Sequence, residues 1–215
     1  MITYTSELKN TEVQIRSYFA NLAENISRVL EAVDVYTAIH QRRVAALARH
    51  VGTKMRLDED KLFWLYIGGL LHDIGKISIH ESILNKTGKL TEEEWFLIRS
   101  HTKQGYNILK DIGFTYPVDD IALHHHERVD GSGYPDGIGG DRLSIEVCII
   151  AVCDVVDAMG THRPYRPARS KEEILQELKN GRGTKYNASV VDAMLEIIES
   201  GELDFRYYSQ NLSTT

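Results

Sequence analysis

Histidine and aspartate side chains occupy positions where the helical spacing of this chain predicts core residues. Apolar residues recur three and four apart between Ile26 and Val51, and His40 falls on the same stripe. His72 and Asp73 stand at the polar end of another apolar segment. Burying imidazoles and carboxylates without partners is costly, and a divalent cation is a natural partner for both. The pattern therefore predicts a metal centre inside a helical core.

More residues of the same kind follow along the chain. His101 comes next, then three consecutive histidines at 124–126, and then Asp154 at the end of an almost continuously apolar segment. His124 is not expected to face the same centre, because three successive residues of a helix cannot all point to one place. Cys153, directly before Asp154, is expected to pack in the core and not to bind a metal ion.

Composition limits the classes of protein that fit. The chain has 215 residues, of which 42% are hydrophobic, enough for one full core. It has no apolar run of the roughly 20 residues that span a bilayer, so no membrane insertion is expected. The net charge of −6 argues against binding DNA through a basic surface. Two cysteines five residues apart on a helix favour free thiols and a cytoplasmic location.

The periodicity throughout is helical. One helix is expected from about Asp60 to Gly75, and another near 190–200 that ends before Gly201. Thr91 and Ser170 each begin a capping box, with the stripe 95, 98 and 102 following the first. No alternating pattern predicts a strand, so the fold class is all-α. The segment 130–141 is rich in glycine, which suits close approach of the backbone to a ligand.

These motifs, taken in order, resemble the HD-GYP domain, a branch of the HD phosphohydrolases that cleave bacterial cyclic dinucleotides. The motifs are His72-Asp73-Ile-Gly-Lys76, His125-His126-Glu127-Arg128, Asp130-Gly-Ser-Gly-Tyr134-Pro135, Leu84-Asn-Lys86, Gly88-Lys-Leu-Thr91 and Asp154-x-x-Asp157. The resemblance implies a compact HD-type bundle of about seven or more helices, with the glycine-rich loop over the metal cleft. It divides the chain into an N-terminal helical extension or connector (1–25), the HD-GYP domain (26–205) and a C-terminal tail (206–215).

The resemblance also implies a ligand set and a pair of ions. The set is His40, His72, Asp73, His101, His125, His126 and Asp154, with Asp73 bridging two divalent metal ions. Mixed imidazole and carboxylate ligands favour iron first and manganese second, with zinc or nickel as further candidates. Family members with three metals carry a glutamate where this chain has Tyr36, so two ions are expected. Asp157 either orients a ligand histidine or caps a helix.

The implied reaction is hydrolysis of cyclic-di-GMP by a hydroxide that bridges the ions. A two-ion centre favours linear pGpG as the end product over complete hydrolysis to GMP. Lys76 would contact the reacting phosphate, and the substrate would also be bound by Tyr134, Arg163, Arg166 and Asp34. Two alternatives stay open. One is hydrolysis of 3',3'-cyclic GMP-AMP, and the other is a non-catalytic receptor or protein-interaction module.

Partners follow from the same resemblance. A cyclic dinucleotide is the expected substrate, and a diguanylate cyclase or an upstream sensory domain is a candidate partner. Apolar residues at helical spacing between Phe19 and Val29 are compatible with a connector helix, a homodimer stripe or part of the bundle, and we favour the bundle.

Overall fold

The computed structural model describes residues 2–31, 37–161 and 167–203, and this part of the chain contains helices and no strand, as the sequence predicted. The α-helices are α1 (Ile2–Glu31), α2 (Thr37–Lys54), α3 (Glu59–Leu71), α4 (Glu81–Leu84), α5 (Glu92–Arg99), α6 (His101–Leu109), α7 (Val118–His124), α8 (Ile145–Gly160), α9 (Lys171–Gly181) and α10 (Ala188–Ser200). Short 3-10 segments lie at Ile74–Ser78, Lys110–Ile112 and Gly140–Arg142.

Helix ends follow the local sequence closely. Both predicted capping boxes form, with Thr91 pairing with Glu94 and Ser170 pairing with Glu173. Gly201 follows α10 with a positive φ of 81°, which glycine adopts without a side-chain clash. Its backbone N–H donates to the carbonyl oxygen of Ile198 at the end of the helix. These local signals therefore fix the starts of α5 and α9 and the end of α10.

Two apolar clusters hold the helices together. The larger one joins α2, α8, α9 and α10 around fully buried residues such as Val51, Ile149 and Met194. The smaller one joins α1, α3 and α7 around Leu30, Leu70 and Ala122. The predicted stripe on α2 is confirmed, because Val44, Leu47 and Val51 are buried. The histidines and aspartates that were predicted as metal ligands lie where the helices of the two clusters meet.

Helix α1 packs on the bundle along only part of its predicted stripe. Ala23 and Leu30 are buried, whereas Leu22 and Val29 are 57% and 59% exposed. The prediction that Val29 faces the core is thus wrong, because the buried face is displaced around the helix. Helix α1 also runs without a break past residue 25. The division at that position stays a prediction, and the tail 206–215 lies outside the described residues.

Two further boundaries differ from the sequence prediction. Helix α3 ends at Leu71 instead of continuing to Gly75, and the chain then turns into the 3-10 segment Ile74–Ser78. The predicted stripe through 95, 98 and 102 is broken at Ser100, where α5 gives way to α6. As a result Trp95 is 49% exposed, while Thr102 is buried. Both breaks bring His72, Asp73 and His101 to the ends of helices.

Both cysteines are free, as predicted, and both are buried. Cys153 lies in the larger apolar cluster, which confirms its role in packing. No helix in the described ranges has the length and hydropathy needed to cross a bilayer.

Candidate metal centre

All seven predicted ligands come together in one cluster, in which six residues are buried and His126 is partly buried. It is called here the metal cluster and consists of His40, His72, Asp73, His101, His125, His126 and Asp154. Asp73 lies at its centre. Its Oδ2 is 3.4 Å from Nε2 of His72, and its Oδ1 is 3.3 Å from Nε2 of His101 and 3.8 Å from Nε2 of His125. One carboxylate therefore faces three imidazoles.

Asp154 closes the other side of the cluster. Its Oδ1 is 3.1 Å from Nε2 of His40, and its Oδ2 is 3.8 Å from Nδ1 of His126. The ligand atoms of the other six residues fall into two overlapping groups, each with all its atoms within 4.8 Å of one another. One group is Asp73, His101, His125 and His126, and the other is His40, His72 and Asp73. Asp73 belongs to both, which is the arrangement expected of a residue that bridges two ions.

The orientations of three imidazole rings fit a cation. Nδ1 of His72 lies 2.8 Å from the carbonyl oxygen of Gly69, and Nδ1 of His101 lies 2.7 Å from that of Ile98. Nδ1 of His125 lies 3.1 Å from the carbonyl oxygen of Ile121. Because a carbonyl oxygen only accepts, each Nδ1 must donate, and Nε2 of the neutral ring carries a lone pair.

Those lone pairs face one another across the cluster. Nε2 of His101 is 3.3 Å from Nε2 of His125, so two acceptors meet without a proton between them. Nε2 of His72 is buried and has no hydrogen-bond partner among the described residues. Buried acceptors in this state are unfavourable unless a cation lies between them. The residues present therefore fit a site for divalent metal ions.

Electrostatics keep most of the cluster in the ligating form. Burial lowers the pKa of His72, His101 and His125, and it lowers the pKa of His126 to about 3. These rings are thus neutral at pH 7. Burial alone would raise the pKa of Asp73, but Lys76 and the surrounding imidazoles outweigh it and hold that pKa well below its usual range.

His40 differs from the other histidines. Burial lowers its pKa, but hydrogen bonds to Asp154 and Asp157 outweigh that effect and raise the pKa to about 9. Nδ1 of His40 lies 2.6 Å from Oδ2 of Asp157, which leaves Nε2 directed to the cluster. Asp157 also accepts from Nε of Arg43 at 2.6 Å. The structure thus decides between the two roles left open for Asp157: it orients His40.

Helix ends position five of the seven ligands, whereas His40 and Asp154 lie within α2 and α8. His72 and Asp73 follow the last residue of α3, His101 begins α6, and His125 and His126 follow the end of α7. Because α7 stops at His124, two successive histidines can turn to one centre. His124 faces elsewhere, as predicted, with Nδ1 2.7 Å from Oδ1 of Asp120. Gly75 permits the close packing, since a Cβ there would lie 1.9 Å from the carbonyl oxygen of His101.

The glycine-rich loop (residues 130–141) folds back on Glu127, just after the end of α7. Oε1 of Glu127 accepts from the backbone N–H groups of Asp136 at 2.7 Å and Gly137 at 2.9 Å. A Cβ at Gly133 would lie 2.3 Å from Cα of Glu127, so only glycine fits there. The loop places the ring of Tyr134 in a stacked contact on His126, with 4.7 Å between ring centroids.

A cleft of about 700 Å³ opens beside the metal cluster. Lys76 and Tyr134 line it, together with five members of the cluster. Nζ of Lys76, in the 3-10 segment, donates to Oδ2 of Asp73, the residue just before that segment, at 2.7 Å. The predicted substrate residues Asp34, Arg163 and Arg166 lie outside the described residues, as does Tyr36.

Sequence reasoning missed the functions of Glu127 and Arg43. Glu127 was read only as part of a motif, although a carboxylate just before a glycine-rich loop is a signal for backbone capping. Arg43 lies three residues after His40, on the next position of the same helical face. That spacing could have indicated a shared partner for the two side chains.

Comparison with known proteins identifies the family. Residues 12–190 match the HD domain. The cyclic di-GMP phosphodiesterase response regulator RpfG of Xanthomonas campestris is 38% identical over 172 residues, which cover 79% of this chain and 46% of that protein. The 3'3'-cGAMP-specific phosphodiesterase 2 of Vibrio cholerae is 34% identical over 197 residues, covering 91% of this chain and 38% of that protein.

The fold is also similar to that of a solved structure, an HDG"Y"P protein from Bdellovibrio bacteriovorus. The TM-score is 0.65 with 18% identity, covering 87% of this chain and 64% of that one. This chain belongs to the HD domain family, in its HD-GYP branch, as the motifs predicted. It spans less than half the length of each of the two curated relatives.

Proposed function

We propose that the protein is a metal-dependent phosphodiesterase that hydrolyses cyclic-di-GMP to linear pGpG. The observation that carries this proposal is the pair of ligand groups sharing Asp73 beside a cleft lined by Lys76 and Tyr134. The names of the two curated relatives, which act on cyclic di-GMP and on 3'3'-cGAMP, support the substrate class. Binding to a cyclic dinucleotide without turnover is less well supported, because the complete ligand set is present.

The seven residues of the metal cluster would hold two divalent ions, with iron as our first choice, manganese second, and zinc or nickel as further candidates. Bound ions would supply a nucleophilic water at neutral pH and would neutralise charge on the phosphoryl oxygens. Asp73, which belongs to both ligand groups, would help to hold both ions. Asp154, which contacts a member of each ligand group, would hold the cluster from its other side.

Among the residues that the structure describes, Lys76 is the cation best placed to act on the reacting phosphate. Its Nζ lies 2.7 Å from Asp73 and borders the cleft, so it can contact a phosphoryl oxygen next to the cluster. A fixed ammonium at that position stabilises the charge that builds up during hydrolysis. Tyr134 would contact the same ligand from the glycine-rich loop. Burial raises the pKa of Tyr134, which keeps its hydroxyl protonated and able to donate.

A second candidate substrate is 3',3'-cyclic GMP-AMP. The observation in its favour is the 34% identity to the Vibrio cholerae phosphodiesterase, close to the 38% identity to the cyclic di-GMP enzyme. The proposal for Asp34, Arg163 and Arg166 as further substrate contacts stands on the family motifs alone. The domain boundaries and a diguanylate cyclase or upstream sensory domain as partner also rest on the family resemblance. The proposal of a cytoplasmic location rests on the two free cysteines, and that of a homodimer rests on the apolar spacing between Phe19 and Val29.

The test uses protein purified without oxygen and loaded with iron or manganese. It is incubated with cyclic-di-GMP, 3',3'-cyclic GMP-AMP and GTP, and products are separated by chromatography. We expect linear pGpG from cyclic-di-GMP and no change in GTP. Lys76→Ala should lower kcat by about 100-fold, whereas Lys103→Ala, which removes an exposed lysine outside the cleft lining, should not. Failure of metal-loaded protein to cleave either cyclic dinucleotide would refute the proposal.

A further inference from the structure

The cleft is larger than a reacting phosphate requires. Its volume of about 700 Å³ falls within the range of roughly 300–1,000 Å³ typical of pockets that enclose a whole small molecule. Members of the metal cluster, Lys76 and Tyr134 form part of the lining. Most of the rest comes from residues 83–90 and from α5. This second part of the wall is available to the portions of a dinucleotide that do not react.

Trp95 supplies a large aromatic ring to this second part of the wall. It is 49% exposed although it borders the cleft. The guanidinium of Arg99 lies 6.0 Å from the ring centroid of Trp95 and 5.3 Å from that of Tyr134. Arg99 therefore connects the two aromatic residues that line the cleft. An exposed indole in such a place is suited to stacking on a nucleobase, because every base presents a π-face.

Two lysines, Lys86 and Lys89, stand beside Trp95 in the lining, and they differ in their partners. Nζ of Lys86 donates to both carboxylate oxygens of Glu94 at 2.7 Å, so its charge is compensated and it ties the loop to α5. No carboxylate in the described ranges forms an ion pair with Lys89, whose residue is exposed. Lys89 is thus the lysine of this pair that can neutralise an anion entering the cleft.

A cyclic dinucleotide has chemistry that matches this wall. It carries two phosphates, and only one can lie at the metal cluster, so the other needs a separate cation. It also carries two purines with large π-faces. We propose that Trp95 and Lys89 form a nucleotide-binding subsite of the cleft, in which Trp95 stacks on a purine and Lys89 binds the phosphate that is not cleaved. This inference rests on the proposed function and assigns the substrate contacts of the α4–α5 region.

The test compares two diesters on Trp95→Ala and Lys89→Ala. Cyclic-di-GMP offers purines and a second phosphate, whereas methyl 4-nitrophenyl phosphate offers a diester bond without either. We expect KM for cyclic-di-GMP to rise about 10-fold or more in each variant, in line with the loss of one stacked base. Hydrolysis of methyl 4-nitrophenyl phosphate should stay within about twofold of the wild-type rate, because the metal cluster is untouched.

Matched controls are available among exposed residues outside the cleft lining. Phe96→Ala removes an aromatic ring that is 74% exposed, next to Trp95 in the chain but outside the cleft lining. Lys110→Ala removes an exposed lysine that is also outside the lining. Both controls should leave KM for cyclic-di-GMP unchanged.

The outcomes separate this inference from the proposed function. If wild-type protein cleaves cyclic-di-GMP and both variants keep its KM, the subsite is wrong. Equal losses on the two diesters would also overturn it, because that result indicates a structural role. If wild-type protein cleaves methyl 4-nitrophenyl phosphate and neither cyclic dinucleotide, the proposed function fails and the subsite fails with it, and the wild-type result alone identifies that case.

Discussion

Helix α8 belongs to two regions with opposite chemistry. On one side, Ile149, Val152 and Val156 join the larger apolar cluster with α9 and α10. On the other side, Asp154 contacts the histidines of the metal cluster and Asp157 holds His40. Both sides are buried, so burial alone does not separate them. The apolar side gains free energy from burial, whereas the polar side incurs a desolvation cost that bound ions would offset.

This contrast assigns different consequences to substitutions in the two regions. A change in the apolar cluster should lower stability and leave the chemistry of folded molecules intact. A change in the metal cluster should remove ion binding and turnover while the helices remain. Each prediction below tests one side of this separation.

The largest effect is expected from Asp73→Asn. Asp73 belongs to both ligand groups, so its loss should lower kcat/KM for cyclic-di-GMP by about 1,000-fold or more. Circular dichroism should show an unchanged helical content. Asp120→Asn is the control, because Asp120 pairs with His124 outside the metal cluster. Asp73→Asn protein that keeps a tenth of wild-type turnover would break the assignment.

A large loss of stability, without a loss of activity in the folded protein, is expected from Ile197→Ala. Ile197 is fully buried in the apolar cluster, so the truncation should lower the free energy of unfolding by about 2–5 kcal/mol in urea titrations. The ion content and kcat of the folded protein should not change. Glu199→Ala, on the exposed side of α10, should have little effect on stability. A folded Ile197→Ala variant without activity would show that the two regions are not separable.

Removing the ions tests whether they stabilise the polar region. Ions that bind only the folded chain should stabilise it by about 2.7 kcal/mol when their free concentration is 100 times Kd. A chelator should therefore lower the Tm in thermal denaturation of wild-type protein. The same chelator should lower the Tm of Asp73→Asn protein much less. An identical Tm with and without chelator in wild-type protein would argue that the cluster binds no ion.

A smaller effect is expected from Asp157→Asn. The change weakens the orientation of His40 without removing a ligand, so ion affinity should fall about 10–100-fold in competition with a chromogenic chelator. Asp192 gives a matched control, because it forms a similar two-point ion pair with Arg182 at the surface. Asp192→Asn should leave the affinity unchanged. Equal affinities of wild-type and Asp157→Asn protein would remove Asp157 from the ion site.

The same contrast explains what the sequence could predict. The helical stripe on α2, the helix near 190–200 and both capping boxes depend on local spacing, and they were predicted correctly. The seven cluster residues could be named because polar side chains on apolar stripes and ordered family motifs coincide. Their convergence is a tertiary feature that the structure supplies.

Other features could not be predicted from the sequence because they depend on packing between residues that are far apart in the chain. Helix α3 ends four residues early where Gly75 approaches the backbone of α6, and no local stop signal precedes that point. Glu127 caps N–H groups nine and ten residues away, and Asp157 meets a histidine 117 residues away in the chain. Such contacts fix a site only after the helices have packed.

The most direct test of the whole account is the number of ions per chain. Protein purified without oxygen should be dialysed against iron or manganese, freed of excess ion, and measured by inductively coupled plasma mass spectrometry. The shared position of Asp73 predicts two ions per wild-type chain. One ion or none at saturation would contradict the two-ion centre on which the proposed phosphodiesterase rests.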